Sequence, residues 1–219
     1  MNEIELLDWV RGPGFQIASI IFVAGVIIRL AEILLLGRKT SFAEARGSAM
    51  LGGLRTIVTR SLPHKTTMQR SAFGIVAGYL FHIGLFVTIF LFAPHIFMFE
   101  AVSGLSWPSL PTAIVDAFAV ITIIALLAVL INRFHNPVLR HITNAEDILV
   151  WTVTILPLIT GYFAFHRIGV AAPTLLAIHI LSVELLLVVF PFTKLMHTFT
   201  LFFARWYNGA ISGYRGVQS

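Results

Sequence analysis

The chain contains no cysteine. It can therefore form no disulfide and hold no thiolate metal site or iron–sulfur cluster of its own, so any redox centre must hang on histidine, methionine or carboxylate. Charge is scarce as well. Asp, Glu, Lys and Arg make up 11% of the residues, against about 25% in an ordinary soluble domain. Hydrophobic residues make up 58%, and mean hydropathy is +0.90. So much apolar surface cannot be hidden in one aqueous core, and an integral membrane protein is expected. At about 20 residues per crossing, a chain of 219 residues leaves no room for a separate soluble domain. No Gly-rich phosphate loop, nucleophile elbow or metalloprotease motif occurs. The formal charge of +5 reads as the positive-inside bias of a membrane protein and not as nucleic-acid binding. Glu3, Glu5 and Asp8 precede the first apolar run, where a cleaved signal peptide would carry basic residues.

What is present is a set of five apolar runs, predicting a single all-α membrane domain over 1–219 built as a five-helix bundle. The spans are expected at about 15–36, 71–97, 112–131, 147–165 and 173–206. The last begins near Pro173, a good first-turn residue. It reads as one helix of about 50 Å, longer than the bilayer core, kinked by Pro191. Basic residues set the orientation. Arg38, Lys39, Arg46, Arg55, Arg60, Lys65 and Arg70 lie in the loop 37–70. Arg133, Arg140, Arg205 and Arg215 fall on the same side, and Arg11 and Arg167 on the other. This predicts an outer N-terminus and a cytoplasmic C-terminus in the cytoplasmic (inner) membrane. Within the loop, 42–58 is expected to form an interfacial amphipathic helix on anionic lipid headgroups. Its basic side also suits a docking cytoplasmic partner.

The histidines carry the chemistry. His179 and His197 stand 18 residues apart in the last apolar run, which on one unbroken helix is five turns, the same face and about 27 Å. Imidazoles are costly in a bilayer and face functional interiors. Same-face imidazoles met by others from a second helix would clamp two stacked haems. Spans two and five run antiparallel, which pairs His82 with His197 near the cytoplasm and leaves His179 to the outer half. Gly74 and Gly78 precede His82 at one-turn spacing, either as a helix-packing seam or as room for a flat macrocycle. The outer partner for His179 is His95, about 19 Å beyond His82 on an ideal helix. Its direction there is wrong by about 140°, and Pro94 is expected to re-aim it. His64, His135 and His141 fall in polar connections, and His166 at the end of span four. Arg29, Arg70 and Lys194 are candidates to pair with haem propionates or to snorkel to the interface. Glu184 stands between the span-five histidines with no assigned role.

At these residues the chain resembles a family, the gamma subunit of respiratory nitrate reductase. That five-span cytochrome b has relatives in heterodisulfide reductases and sulfite-reductase-linked membrane complexes. The resemblance runs from span one to span five. Val26-Ile-Ile-Arg29-Leu is similar to the family's Arg-containing helix end, and Leu80-Phe-His82-Ile-Gly84 to its ligand motif. Asn136-Pro-Val-Leu-Arg140 and Thr143-Asn-Ala-Glu-Asp147 are similar to its third connection. His179 and Phe190-Pro-Phe-Thr-Lys-Leu-Met-His197 reproduce its ligand spacing. The resemblance implies two haems b, a quinone or quinol as diffusible substrate, and a cytoplasmic iron–sulfur or other redox subunit as partner. It also departs: Phe92 stands where the nitrate reductase subunit has its second span-two ligand, and Asp116 where it has a basic residue.

Asp116, one turn into span three, is the candidate proton acceptor for a quinol, grouped with His95, Glu100, His166 and Arg167 at the outer end; a solvated helix-start carboxylate is the plainer reading. Two other functions remain open on the residues. One is a membrane anchor with one or no haem holding a soluble enzyme. The other is a small transporter using buried His and Glu as a proton relay.

Overall fold

The computed structural model describes residues 2–36 and 42–217; the start of the basic loop, with Arg38 and Lys39, lies outside the described residues. The protein is all-helical, and no strand occurs among the described residues. Five helical runs are long and apolar enough to cross a membrane: Glu3–Leu35, Lys65–Phe90, Thr112–His135, Ala145–His166 and Ala172–Phe192. The chain forms two compact units. One comprises Met1–Ala18 and Ser71–Leu186, the other Ser19–Arg70 and Leu187–Ser219.

The first unit opens with α1 (Glu3–Trp9), whose N-terminus is closed by a capping box between Asn2 and Glu5. A π turn, Val10–Gly14, follows and contains Pro13, which cannot donate to the α ladder; α2 (Phe15–Leu35) continues from it. After α3 (Ala49–Thr59), which belongs to the second unit, comes α4 (Lys65–Phe90), with a non-helical residue at Ser71, then α5 (Ala93–Ser103). The unit continues with α6 (Thr112–His135), α7 (Pro137–Ile142), α8 (Ala145–His166) and α9 (Ala172–Val189). Leu126, Ile155 and Leu158 form a core cluster, joined by Phe81, Leu85, Ile123, Trp151 and Ile159. The Trp151 indole N–H donates to the Leu126 carbonyl at 2.8 Å, binding α8 to α6. Gly84 of α4 sits so close to Thr122 that no side chain would fit there. The third connection is locked by charge. Arg133 pairs with Asp147 at 2.6 Å and donates to Thr143 at 2.7 Å, while Asp147 and Asn144 complete the capping box of α8.

In the second unit α3 packs against α10 (His197–Tyr214). A Cβ on Gly53 would strike Trp206, and one on Gly213 would lie 2.8 Å from the Gly52 Cα. Gly209 and Gly213 form a G-x-x-x-G pair that admits a close backbone approach. Phe22, Phe190 and Phe199 form a second aromatic cluster.

Three boundaries differ from expectation. The second span is not one helix to Phe97: α4 stops at Phe90, and Phe92 takes an extended conformation before α5 starts with Pro94 in its first turn. The fifth is not a kinked helix to Trp206. Pro191 supplies no N–H and crowds the preceding turn, so α9 ends at Val189. Two 3₁₀ turns, Phe190–Phe192 and Lys194–Met196, precede α10. Thr193 is extended, and its hydroxyl lies 3.2 Å from the Val189 carbonyl oxygen. The five-turn relation between His179 and His197 therefore does not hold, because they stand on different helices. The helix of the basic loop begins at Ala49, after an N-cap on Ser48, and not at Phe42.

Candidate functional site

In the first unit, Phe92 turns the chain between α4 and α5, and this break aims His95. The ring lies 6.2 Å from that of His179 on α9, with the two planes 17° apart. Each ring is held from behind. His95 Nδ1 donates to the Thr88 carbonyl at 2.9 Å. His179 Nδ1 lies 3.3 Å from the Thr160 hydroxyl, which itself donates to the Leu156 carbonyl. His95 thus carries its proton on Nδ1 and a lone pair on Nε2; the Thr160 hydroxyl beside His179 also lies 2.9 Å from the Ser182 hydroxyl. Burial holds the His95 imidazole below its ordinary pKa, and carbonyls at Thr88 and Ile89 only partly offset this; burial thus favours the neutral ring. Gly161 makes the place for the second ring: a Cβ there would lie 2.9 Å from His179 Cε1.

Two imidazoles on opposite sides of one metal, each nitrogen about 2 Å from it, have their ring centroids roughly 6 Å apart. The His95–His179 pair fits that requirement, and its orienting hydrogen bonds are those expected of ligating histidines. Among the described residues no group of three or more His, Asp or Glu side chains is arranged to hold a bare ion. Two imidazoles suffice for a haem, whose macrocycle supplies the other ligands.

His82 lies in the middle of α4 with Nδ1 2.7 Å from the Gly78 carbonyl oxygen and its ring 3.9 Å from that of Phe81. A Cβ added to Gly74 or Gly78 would meet nothing within 4 Å. Among the described residues these glycines thus touch no neighbouring helix, and the surface before His82 is bare backbone. His135, on an exposed helix end, makes the same bond to its own preceding turn, so that bond alone does not mark a ligand. In the second unit His197 opens α10, exposed, with Nδ1 2.7 Å from the Lys194 carbonyl oxygen. Arg29 donates to the Pro191 carbonyl at 3.2 Å and pairs with Glu32 at 2.9 Å, so it caps the break in the fifth span. Arg70 and Lys194 are exposed.

Asp116 is not a solitary carboxylate. Its Oδ1 lies 3.3 Å from Nε2 of His166. His166 also meets the rings of Tyr162 and Phe165, and Phe165 leads through Phe92 to His95. Glu100 is exposed on α5, and Arg167 ends α8 in the left-handed conformation. Thr160 and Gly161 were not expected from sequence, and His166 and Asp116 were expected at one end but not as a pair; the small polar pair Thr160-Gly161 inside an apolar span was the available signal. Glu184 is buried, with Oε1 making no hydrogen bond, beside Gly14.

No protein-family model matches the chain, and no solved structure matches it. A curated protein of Nitratidesulfovibrio vulgaris (strain Hildenborough) is 29% identical over 202 residues, 90% of this chain and 89% of its own length. Its name is given only as "Protein". The chain is thus similar over nearly its whole length to a protein whose name carries no function.

Proposed function

We propose that the protein is a cytochrome b subunit of a membrane-bound respiratory oxidoreductase, related to the nitrate reductase gamma family. It passes electrons between quinol and a cytoplasmic redox partner. The observation that carries this reading is the His95–His179 pair, with its near-parallel rings 6.2 Å apart and both Nδ1 atoms engaged. When bound there, a haem b supplies one-electron chemistry at a potential set by its ligands and burial. Thr88 and Thr160 orient the two imidazoles, and Gly161 leaves room for one of them. His82 offers a ligand for a second haem beside the bare backbone of Gly74 and Gly78, and the sequence offers His197 as its counterpart.

Asp116, paired with His166, receives protons from the quinol. The orientation follows the basic residues, with the N-terminus outside and the C-terminus in the cytoplasm of the inner membrane. An iron–sulfur or other redox subunit docks on the basic cytoplasmic side. One observation favours a different class. The unbonded oxygen of buried Glu184 is what a proton-coupled transporter would use, and a colourless purified protein would favour that reading.

The test is quinol-driven reduction of the purified protein. A quinol should reduce a low-spin b-type haem, and His95→Ala and His179→Ala should each abolish the same spectral component. If each variant keeps every component of the wild type, the assignment is wrong.

A further inference from the structure

An α-helix leaves its last carbonyls without intrahelical donors, and among apolar residues of a membrane protein each must find another. α4 ends in such a place, followed by Leu91-Phe92. Its carbonyls are nevertheless taken up in turn. Val87 accepts from the Leu91 amide at 2.9 Å. Thr88 accepts from the His95 imidazole at 2.9 Å, and the Ile89 carbonyl lies against the same ring. Phe90 accepts from the Trp107 indole N–H at 2.5 Å. Leu91, the first residue beyond the helix, accepts from the Leu110 amide at 2.9 Å. Two ring N–H donors, His95 and Trp107, therefore cap one helix end.

Trp107 and Leu110 both come from the strap 104–111, which joins α5 to α6 without regular structure. Gly104 starts the strap, closing α5 in the left-handed conformation at φ 74°. Pro108 and Pro111 restrict its backbone. The indole is also held through its ring. Its centroid lies 5.7 Å from that of Phe99, and Phe99 stacks on Phe90 at 5.7 Å with the planes 15° apart. Phe90 is thus gripped by its carbonyl and, by way of Phe99, by its ring. Without the indole N–H, the Phe90 carbonyl loses its donor. Shifting the backbone at Leu91-Phe92, or drawing the His95 Nδ1–H away from Thr88, would satisfy it again. Either change turns the His95 ring relative to that of His179.

We infer that Trp107 is a positioning residue for His95. The strap between α5 and α6 holds the break after α4 and so sets the angle and spacing of the His95 ring against that of His179. The inference rests on the reading of that pair as haem ligands. It adds a segment outside the helices as the part that fixes the ligand geometry, and with it the spin state and potential of the haem.

The test compares two variants of the full-length protein, with haem and without. Trp107→Phe keeps an aromatic ring and removes the N–H. Trp151→Phe is the matched control, because the Trp151 indole makes the same kind of bond, to the Leu126 carbonyl at 2.8 Å, away from the break. Near-parallel imidazoles give a low-spin ferric haem a rhombic electron paramagnetic resonance signal, and His179→Ala identifies the component that belongs to this pair. Trp107→Phe should shift the g-values of that component or turn it partly high-spin. It should weaken haem binding at the pair roughly fivefold or more and leave unchanged any component that His82→Ala removes. Trp151→Phe should lower thermal stability to a similar extent with the signal as in wild type. In the haem-free protein, the His95 Nδ1–H resonance, assigned by its loss in His95→Gln, should move in Trp107→Phe and stay in Trp151→Phe. Phe99→Leu loosens the indole without deleting its N–H; it should move the same signals less, and it decides the matter if Trp107→Phe does not fold. If Trp107→Phe leaves the His95 resonance and the haem signal where Trp151→Phe leaves them, Trp107 only fastens the strap and the inference is overturned. If wild type takes up no haem, the cytochrome reading falls, and the His95 resonance alone decides whether Trp107 positions that ring.

Discussion

Gly161→Ala is a one-atom probe of the His95–His179 pair. The added Cβ would lie 2.9 Å from His179 Cε1 and 3.1 Å from Nδ1, whereas ordinary carbon contacts run at about 3.5–4.0 Å. The imidazole must therefore give way by roughly half an ångström, away from α8 and from the Thr160 hydroxyl that orients it. Overpacking of this kind costs about 1–3 kcal/mol. If a haem iron is bonded to Nε2, that cost falls on ligation. Since about 1.4 kcal/mol is a factor of ten in affinity, haem should bind roughly 5- to 150-fold more weakly or turn partly high-spin. Spectral titration of the haem-depleted variant with haemin, beside wild type, measures this. Unchanged affinity, spin state and midpoint potential would mean that the His179 ring carries no iron, and the geometric argument would be refuted.

Three other outcomes are expected. Gly78→Ala meets no atom within 4 Å and improves helix propensity by about 1 kcal/mol, so the haem-free protein should be no less stable; a macrocycle lying over that backbone would be displaced, and haem content should drop. A stable variant with full haem content would remove the case for a cofactor at His82. Asp147→Ala deletes both the Arg133 ion pair and half of the α8 capping box, at a cost of about 2–3 kcal/mol. A thermal midpoint equal to wild type would refute that role. Burial lowers the His95 pKa, so the unfolded chain binds more protons as pH falls through about 6.5. Its contribution is complete above that pH and is lost on acidification towards the folded value; haem-free His95→Gln should lose less stability than wild type between pH 7 and 5.5.

Hydropathy locates all five spans, because a helix facing lipid must be apolar on most sides whatever its partners. It does not locate the breaks. Leu91-Phe92 is as apolar as its neighbours, and only Pro94 signals that the helix restarts there; yet that break removes the apparent rotational mismatch between His82 and His95. Pro191 was visible, but a kink and a complete interruption are separated by what captures the freed carbonyls, and Arg29 and Thr193 do this from positions no periodicity connects. Gly52-Gly53, inside the stretch expected to lie on lipid headgroups, is instead the surface on which α10 packs. The His166–Asp116 contact joins the end of one helix to the first turns of another, and no spacing rule reaches across such a distance.

The most direct measurement is the reduced-minus-oxidised absorption spectrum of the purified protein, with haem quantified per chain after extraction into acidified organic solvent. The account predicts a red protein with the α-band of low-spin haem b, entirely extractable because no covalent attachment motif is present, and at least one haem per chain. A colourless preparation after growth with ample haem, or a wholly high-spin spectrum that His179→Ala leaves unchanged, would contradict it.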